Sequence, residues 1–397
     1  MKLTLLMGIF PIEEYQNIID RSKCNVQFAA DALQKAIIHG LTFWTKSIQI
    51  INLPYIGSFP LRDKILFTDK YNFSFKTVAG FNIPFCNLCG WKLFSRFFRS
   101  FFALKKYVGF NDIILIYSVH TPFIKACIDF KKKNPNTKIV LLVADLPEYM
   151  LDNKGVIRNY MEKINQRLLS KFYKQIDGFI LLSKHMIDKL PVADKPWVVV
   201  EGIYSDVDEK VILSTKEQDG KYVLYTGTLA KRYGITRLVK AFLKVNIPDI
   251  KLVICGDGDA KEEIVEYSRY DSRIVYKGLI KREEALTLQK NATLLVNPRT
   301  SEGEFTKYSF PSKTMEYLAS GVPTLLYRLP GIPDEYYDYC YSLVDTSISS
   351  LTDALESILR KDVRELALMG ERARRFILNE KSPKQQAKKI YDLINRL

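Results

Sequence analysis

Short apolar runs separated by amphipathic segments set the rhythm of the chain. Residues 221–227, KYVLYTG, read as a strand closed by glycine; a basic loop, TLAKRYG, leads into a helical pattern, ITRLVKAFLKV. KLVICGDGD (251–259) repeats strand and glycine turn before the helix AKEEIVEYSRY, and RIVYKG (273–278) precedes the helix KREEALTLQKN. ATLLVNPR (292–299) is a strand, SKTMEYLAS a helix and VPTLLYR (322–328) a strand, with ISSLTDALESILR and VRELALMGERARRFILN as closing helices. Strands alternating with helices predict βα units, a parallel sheet and helices on both faces. Ligands of such sheets bind at the carboxyl ends of the strands. Gly227, Gly256, Gly258, Gly278, Asn297 and Arg299 all fall there.

The first half repeats the style less cleanly. LTLLMG, KSIQIINLP, DIILIYSVH, KIVLLVADLP, GFILLSK and PWVVVEG are strand candidates, with helices such as AADALQKAIIHGL and RNYMEKINQRLLSKFYKQ between some of them. At 397 residues the chain is too long for one ordinary core. The expected division is an α/β domain over 1–200 and a second over 201–382, with the break near EGIYSDVDEK (201–210). The last helix, about 383–397, follows a Ser-Pro breaker and could pack back on the first domain.

Composition narrows the class. With 47% hydrophobic and 26% charged residues the chain should be globular, and no segment approaches the ~18 unbroken apolar residues of a membrane span. The N-terminal MKLTLLMGIF reads as a first buried strand rather than a signal peptide. The six cysteines are scattered and suggest no disulfide framework, which places the protein in a reducing cytoplasm. Cys86 and Cys89 have no second pair and no nearby histidine, so a zinc site is not expected. The net charge of +15 favours anionic partners: nucleic acid, anionic lipid or phosphorylated small molecules. No zinc-finger or RNA-recognition motif and no Arg-rich tail is present, so nucleic acid is not the expected partner.

Three strand-end pieces carry candidate chemistry. In SFPSKTMEYLASG, Ser312 follows a proline as a plausible N-cap, Lys313 adds a charge, and Glu316 lies one turn into the helix. A helix start offers N–H donors and a positive dipole end to phosphate. A carboxylate one turn in either offsets that dipole or accepts from a vicinal diol such as a ribose. In TGTLAKRYG, Lys231 and Arg232 follow a strand-end glycine; they are either a solvated basic loop or a diphosphate grip. Arg299 is the third piece, and the three together favour a phosphate cradle more than any one does.

The order and spacing of these motifs resemble the donor domain of GT-B glycosyltransferases, in particular the retaining family 4 type that builds bacterial surface polysaccharides. The run YTGTLAKRYGITRLVKAF looks like that family's glycine-loop-basic-helix segment, LVICGDGD like its strand and glycine turn, and VNPRTSEGEFTKYSFPSKTMEYLASGVPTLL like its donor-binding element. The resemblance covers residues 221–335 well and the first half only in style. It implies an α/β GT-B fold, two Rossmann-like domains facing a central cleft, with the acceptor on the first and a nucleotide-diphosphate sugar, UDP favoured, on the second. It assigns the ribose to Glu316 and the diphosphate to Arg232 with Lys231 beside Gly227, Thr228 and Arg299. The Ser312–Lys313 turn assists, and the nucleobase lies near Gly278 and Leu279. One departure touches the donor sugar: many members carry a second glutamate eight residues before the ribose-binding one, where this chain has Tyr308, and Glu304 or Glu302 could replace it.

In the first domain, Gly8 would let the first loop approach the diphosphate. His120, at the end of IYSVH, is a partner for the transferred sugar, a proton-transfer group or a structural residue. Asp145, ending LLVAD, could bind the acceptor or act as a base. Retaining enzymes of this type lack an obvious carboxylate nucleophile, so stabilising the leaving diphosphate is the expected main term. Asp206-Val-Asp208 and Asp257-Gly-Asp259 look like the metal motif of the other glycosyltransferase fold; the first sits between domains and the second in a turn where acidic residues commonly cap a helix. Neither a metal nor a cofactor beyond the donor substrate is expected. Residues 92–108, KLFSRFFRSFFALKKYV, place Phe94, Phe97, Phe98 and Phe101 at helical spacing with Arg96, Arg99, Lys105 and Lys106 interleaved. That pattern suits an anionic membrane surface, the inner face of the plasma membrane, and a polyprenyl-diphosphate-linked glycan as acceptor. The competing readings are a dinucleotide-dependent oxidoreductase, for which GDGDAK is a poor match to GxGxxG, and a non-catalytic polyanion binder.

Overall fold

The computed structural model describes residues 2–24, 26–146, 156–190, 194–205 and 220–397. The chain divides into two compact units, Met1–Ile203 with Pro383–Leu397, and Tyr204–Ser382.

In the first unit the strands are β1 (Leu3–Met7), β2 (Ile48–Asn52), β3 (Tyr71–Phe75), β4 (Val78–Asn82), β5 (Ile113–Tyr117), β6 (Lys138–Val143), β7 (Gly178–Leu181) and β8 (Trp197–Val199). They form one sheet in the order β3-β4-β2-β1-β5-β6-β7-β8, parallel except for the β3–β4 pair. β1, β2 and β5 are buried along their whole length, as expected of strands covered on both faces. The helices are α1 (Tyr15–Arg21), α2 (Phe28–Leu41), α3 (Lys92–Tyr107), α4 (Thr121–Lys131) and α5 (Val156–Tyr173). The order reverses between β1 and β5, so the crevice outside their carboxyl ends is the place where such a sheet takes a ligand.

The β3–β4 hairpin is absent from the sequence reading. Its turn runs through Lys76, at φ 55°, and Thr77, with none of the Asn-Gly or Asp-Gly chemistry that announces a tight hairpin.

The second unit contains β9 (Lys221–Thr226), β10 (Ile250–Cys255), β11 (Ile274–Gly278), β12 (Leu294–Asn297), β13 (Thr324–Tyr327) and β14 (Tyr341–Leu343). Its helices are α6 (Ile235–Phe242), α7 (Lys261–Tyr270), α8 (Arg282–Asn291), α9 (Ser312–Ala319), α10 (Ile348–Leu359) and α11 (Val363–Glu380). The strands pair in parallel in the order β11-β10-β9-β12-β13-β14. Counted within the unit this is 3-2-1-4-5-6, the doubly wound order whose switch point lies between its first and fourth strands, here β9 and β12. Gly256 after β10 takes φ 143°, and a Cβ there would meet the Gly227 carbonyl at 1.8 Å, so only glycine lets these two strand ends come together.

The last helix, α12 (Pro383–Ile394), belongs to the first unit. It buries Ala387, Ile390, Leu393 and Ile394 in the core shared with Ile37 and Leu41, packed against α2, β7 and β8, and Trp44 donates to the Lys384 carbonyl at 2.8 Å. The six cysteines are free thiols.

Candidate active site

The second unit brings four of the expected residues into two clusters at the carboxyl edge of its sheet. The first is built on Glu316. Its helix, α9, runs along the β12–β13 part of the sheet with Met315, Tyr317, Leu318 and Ala319 buried, which leaves Glu316 at the upper margin of the core with a side chain 15% exposed. Oε1 accepts from Gln289 Nε2 and Lys313 Nζ, both at 2.6 Å, and Oε2 lies 3.4 Å from Arg282. Burial alone would raise the carboxyl; the charge and hydrogen bond of Lys313, then Gln289 and Arg282, outweigh it, so its pKa lies below the ordinary value. Glu316 is therefore an ionised acceptor at neutral pH, suited to two hydroxyl donors.

Gln289 was not singled out from the sequence. It is buried in α8, and its Nε2 also donates to Thr226 Oγ1 at the end of β9, 3.0 Å away. The available signal was an amide standing one helical turn after Ala285 on the side of α8 that buries Leu288. Tyr317 was missed as well: its hydroxyl accepts from the Thr226 N–H at 2.8 Å and so ties α9 to β9 beneath Glu316.

The second cluster pairs Arg232 with Arg299. Both guanidinium groups lie over the same two rings, Tyr233 (5.2 and 5.1 Å) and Phe305 (5.9 and 4.8 Å). Arg299 is lowered by burial and, in lesser part, by the like charge of Arg232; its Nη2 donates to Ser309 Oγ at 2.9 Å while its buried Nε has no partner. Two cations stacked side by side on aromatic faces are an arrangement that a doubly charged anion stabilises. Lys231 stands on the neighbouring turn, exposed, with Glu263 3.7 Å away. Gly227 donates its N–H to the Cys255 carbonyl, and the carbonyl of exposed Thr228 accepts from Tyr225. The Gly278 carbonyl accepts from Gly256 at 2.8 Å, and Leu279 beside it is 77% exposed, an open apolar face at the strand end.

Three sequence expectations change. Ser312 is not the N-cap of α9: Pro311 occupies that position and no side chain caps the helix, so its first N–H groups have no side-chain acceptor. Lys313 turns along the helix to Glu316 at i+3 instead of standing at the helix start. Asp259 does not cap α7, whose N-cap is Ala260; its carboxylate accepts from the Lys231 N–H at 2.8 Å and so shapes the basic loop. Asp206 and Asp208 lie outside the described residues. At the departure from the family pattern, Tyr308 is buried and its hydroxyl donates to Glu304 at 3.1 Å, whereas Glu302 is 3.1 Å from Arg237. Among the described residues no cluster of three metal-ligating side chains occurs.

In the first unit, Gly8 and His120 meet at Tyr55. A Cβ on Gly8 would stand 2.3 Å from the Tyr55 ring, and the Gly8 N–H is already given to Gln34 at 2.8 Å, so the space glycine leaves is filled by that ring. The His120 ring meets Tyr55 and Phe123 edge-on, and its Nε2 is buried without a partner. Burial, then Arg96 and Lys92, hold His120 well below its ordinary pKa, so the imidazole is neutral. Asp145 follows β6 with its side chain still open to solvent on one side, and desolvation raises its carboxyl to about 6.

The helix predicted over 92–108 forms as α3, but its faces differ from the expectation. Arg96 is 1% exposed and donates to the carbonyls of Leu53 and Pro54 at 2.7 and 2.9 Å, so it belongs to the core and not to a basic surface. The outward face carries Trp91, Phe94, Phe98 and Phe102, each more than half exposed. Among the described residues no helix is long and apolar enough to cross a membrane.

Comparison with known proteins agrees with this geometry. Residues 207–382 match the family model for glycosyl transferases group 1. No curated protein matches the chain. Solved structures match over its whole length: sucrose-phosphate synthase from Thermosynechococcus elongatus (16% identity, 100% of this chain and 99% of that one, TM-score 0.64), Anabaena HepE in complex with UDP (12%, 100% of both, 0.63) and the lipopolysaccharide outer core galactosyltransferase WaaB (15%, 100% of both, 0.63). At these identities the likeness establishes the fold, and the family match lies in the unit that holds the Glu316 and arginine clusters. The second unit is thus a group 1 glycosyltransferase domain, and the chain is a glycosyltransferase of GT-B fold.

Proposed function

We propose that the enzyme transfers a sugar, with retention, from a nucleotide-diphosphate sugar, UDP favoured, to a glycan or polyprenyl-diphosphate-linked acceptor in bacterial surface polysaccharide synthesis. The observation that carries the donor half is Glu316: an ionised, nearly buried carboxylate at the carboxyl edge of a 3-2-1-4-5-6 sheet, where a ribose diol is the natural donor pair. Arg232, Lys231 and Arg299 take the diphosphate, the uncapped start of α9 adds its N–H groups, and Gly227 and Thr228 line the loop. The base rests by Gly278 and Leu279. Their shared task is to stabilise the leaving nucleoside diphosphate without a metal. The Anabaena neighbour solved with UDP supports the choice of uridine. Neutral His120 bonds the transferred sugar, Asp145 serves the acceptor, and Glu304, held by Tyr308, stands in for the second glutamate.

The acceptor half draws on α3. Trp91, Phe94, Phe98 and Phe102 form an exposed aromatic stripe beside Arg99, Lys105 and Lys106, which suits peripheral attachment to the anionic inner face of the plasma membrane. The lipopolysaccharide galactosyltransferase among the structural neighbours supports a surface-glycan acceptor.

Equilibrium binding of UDP, GDP and NAD to the wild type and to Glu316→Ala, in chelator, tests the donor reading. One nucleoside diphosphate should bind, and the variant should lose about 10- to 150-fold, the worth of roughly 1.5–3 kcal/mol for a charge-assisted hydrogen bond. Preferential binding of NAD, or binding that requires Mg²⁺, would overturn it.

A further inference from the structure

The first unit holds a cavity of about 280 Å³ whose cationic side chains the donor chemistry does not use. It opens at the β1–β5 switch point, between the loop after β2, the start of α3 and the residue ending the loop after β5. Its walls include Tyr55, Arg62, Asp63, Lys92, Arg96 and His120. The volume is near the lower end of small-molecule pockets, enough for a sugar ring with one charged substituent.

Its electrostatics are unbalanced. Lys92, Arg96 and Arg62 face one carboxylate, Asp63, which already accepts from the Ile65 N–H and has Arg21 3.7 Å away. Lys92 donates to the Ile56 carbonyl, and no acidic side chain lies within ion-pair distance of it among the described residues. Arg96 spends its two terminal nitrogens on Leu53 and Pro54, and its buried Nε has no partner, nor has the buried Nε2 of His120. Burial and the neighbouring Arg96 outweigh the attraction of Asp63 and bring Lys92 down to about 7. Arg96 and Lys92 hold the loop after β2 by its carbonyls, but that task explains neither the cluster of cations nor the open volume beside them.

We propose that this cavity binds a phosphoryl group carried by the acceptor, with Lys92 and Arg62 as its counter-ions and Asp63 taking a hydroxyl of the adjoining sugar. Its assignment to the acceptor rests on the proposed glycosyl transfer; the anion site itself does not. A soluble sugar phosphate and a lipid-borne one present the same group.

The test is calorimetric titration of glucose 1-phosphate into the full chain saturated with UDP, so that the arginine cluster of the second unit is occupied. One further site is expected, weakened about 10- to 100-fold by Arg62→Gln and by Lys92→Gln and retained by Lys92→Arg, with UDP affinity unchanged. Arg62 is exposed, so its variant reports even if the Lys92 variants unfold. Vesicles carrying a polyprenyl-phosphate sugar form a second arm; binding in either arm that the variants weaken supports the cavity, and the stronger arm names the source. Absence of the site in both arms, or binding that neither charge removal weakens, overturns the proposal. Should UDP fail to bind, the donor reading falls, while the variants still decide the cavity.

Discussion

The two units place buried charge at the same kind of location, the carboxyl edge of a parallel sheet, and treat it in opposite ways. Glu316 is surrounded by Lys313, Gln289 and Arg282, and these partners overcome burial, so the carboxylate is held charged. Lys92 and Arg96 face mostly carbonyls, and burial prevails: Lys92 falls to about 7 and Arg96 to about 10. The difference teaches that desolvation sets only a starting penalty; the sign of the shift depends on whether an opposite charge stands close enough to repay it. A group with its counter-charge built in is ready to bond neutral hydroxyls, whereas a cation lacking one is ready for an anion.

The largest expected effect breaks the first-unit side of this comparison. Arg96→Met removes the donors to two buried carbonyls, at roughly 1–3 kcal/mol each, and a guanidinium stacked 4.8–4.9 Å from Tyr55, Phe85 and Phe123. Urea unfolding should show a loss of about 2–6 kcal/mol, and an unchanged midpoint would mean that the loop after β2 is held by other means. Second comes Glu316→Gln. It leaves Lys313 and Arg282 without their carboxylate, so nucleotide affinity should fall by about tenfold or more while the fold persists.

The third effect is a pH dependence that falls in separate windows for the two regions, with stability rising with pH in each. Lys92 has a folded pKa near 7 against about 10.4 unfolded, so the unfolded chain binds more protons between these values and stability should rise with pH across that window. In Lys92→Met that slope should be lost. Glu316 is depressed, so its contribution is present above an unfolded pKa of about 4.3 and is lost as pH falls through the lower folded value. Glu316→Gln should therefore flatten the acid limb alone. Urea midpoints measured from pH 3 to 10 would separate the two; parallel profiles for both variants would refute the contrast. The smallest effect concerns α9: because Ser312 makes no capping bond, Ser312→Ala should alter stability by less than about 0.5 kcal/mol, where a true N-cap would cost about 1.

The βα rhythm of 221–328 was readable because each strand is a short apolar run and each helix has an apolar stripe, and β9 to β13 follow it. β14 and the β3–β4 hairpin were not, since a three-residue edge strand and a Lys-Thr turn lack the periodicity or turn chemistry that would mark them. Glu316 stood out as one carboxylate among apolar neighbours. Gln289, its hydrogen-bond partner, did not, because an amide on a mostly polar helix is unremarkable until the sheet brings α8 to α9. The same holds for α3: helical spacing identified an amphipathic helix, yet both aromatic and basic residues occur all round it, so which of them faced solvent was open.

Alone, the sequence determined the alternation of strands and helices, the basic balance of the chain and the family of its second half, because those are properties of local spacing and composition. Tertiary structure decided the partners and surroundings of each charge. It turned Arg96 inward to bond two carbonyls, drew Lys313 away from the helix start to Glu316, and stacked Arg232 and Arg299 on shared rings. Those outcomes depend on contacts between residues far apart in the chain, where burial and the nearest opposite charge, both set by packing, fix the state of each group.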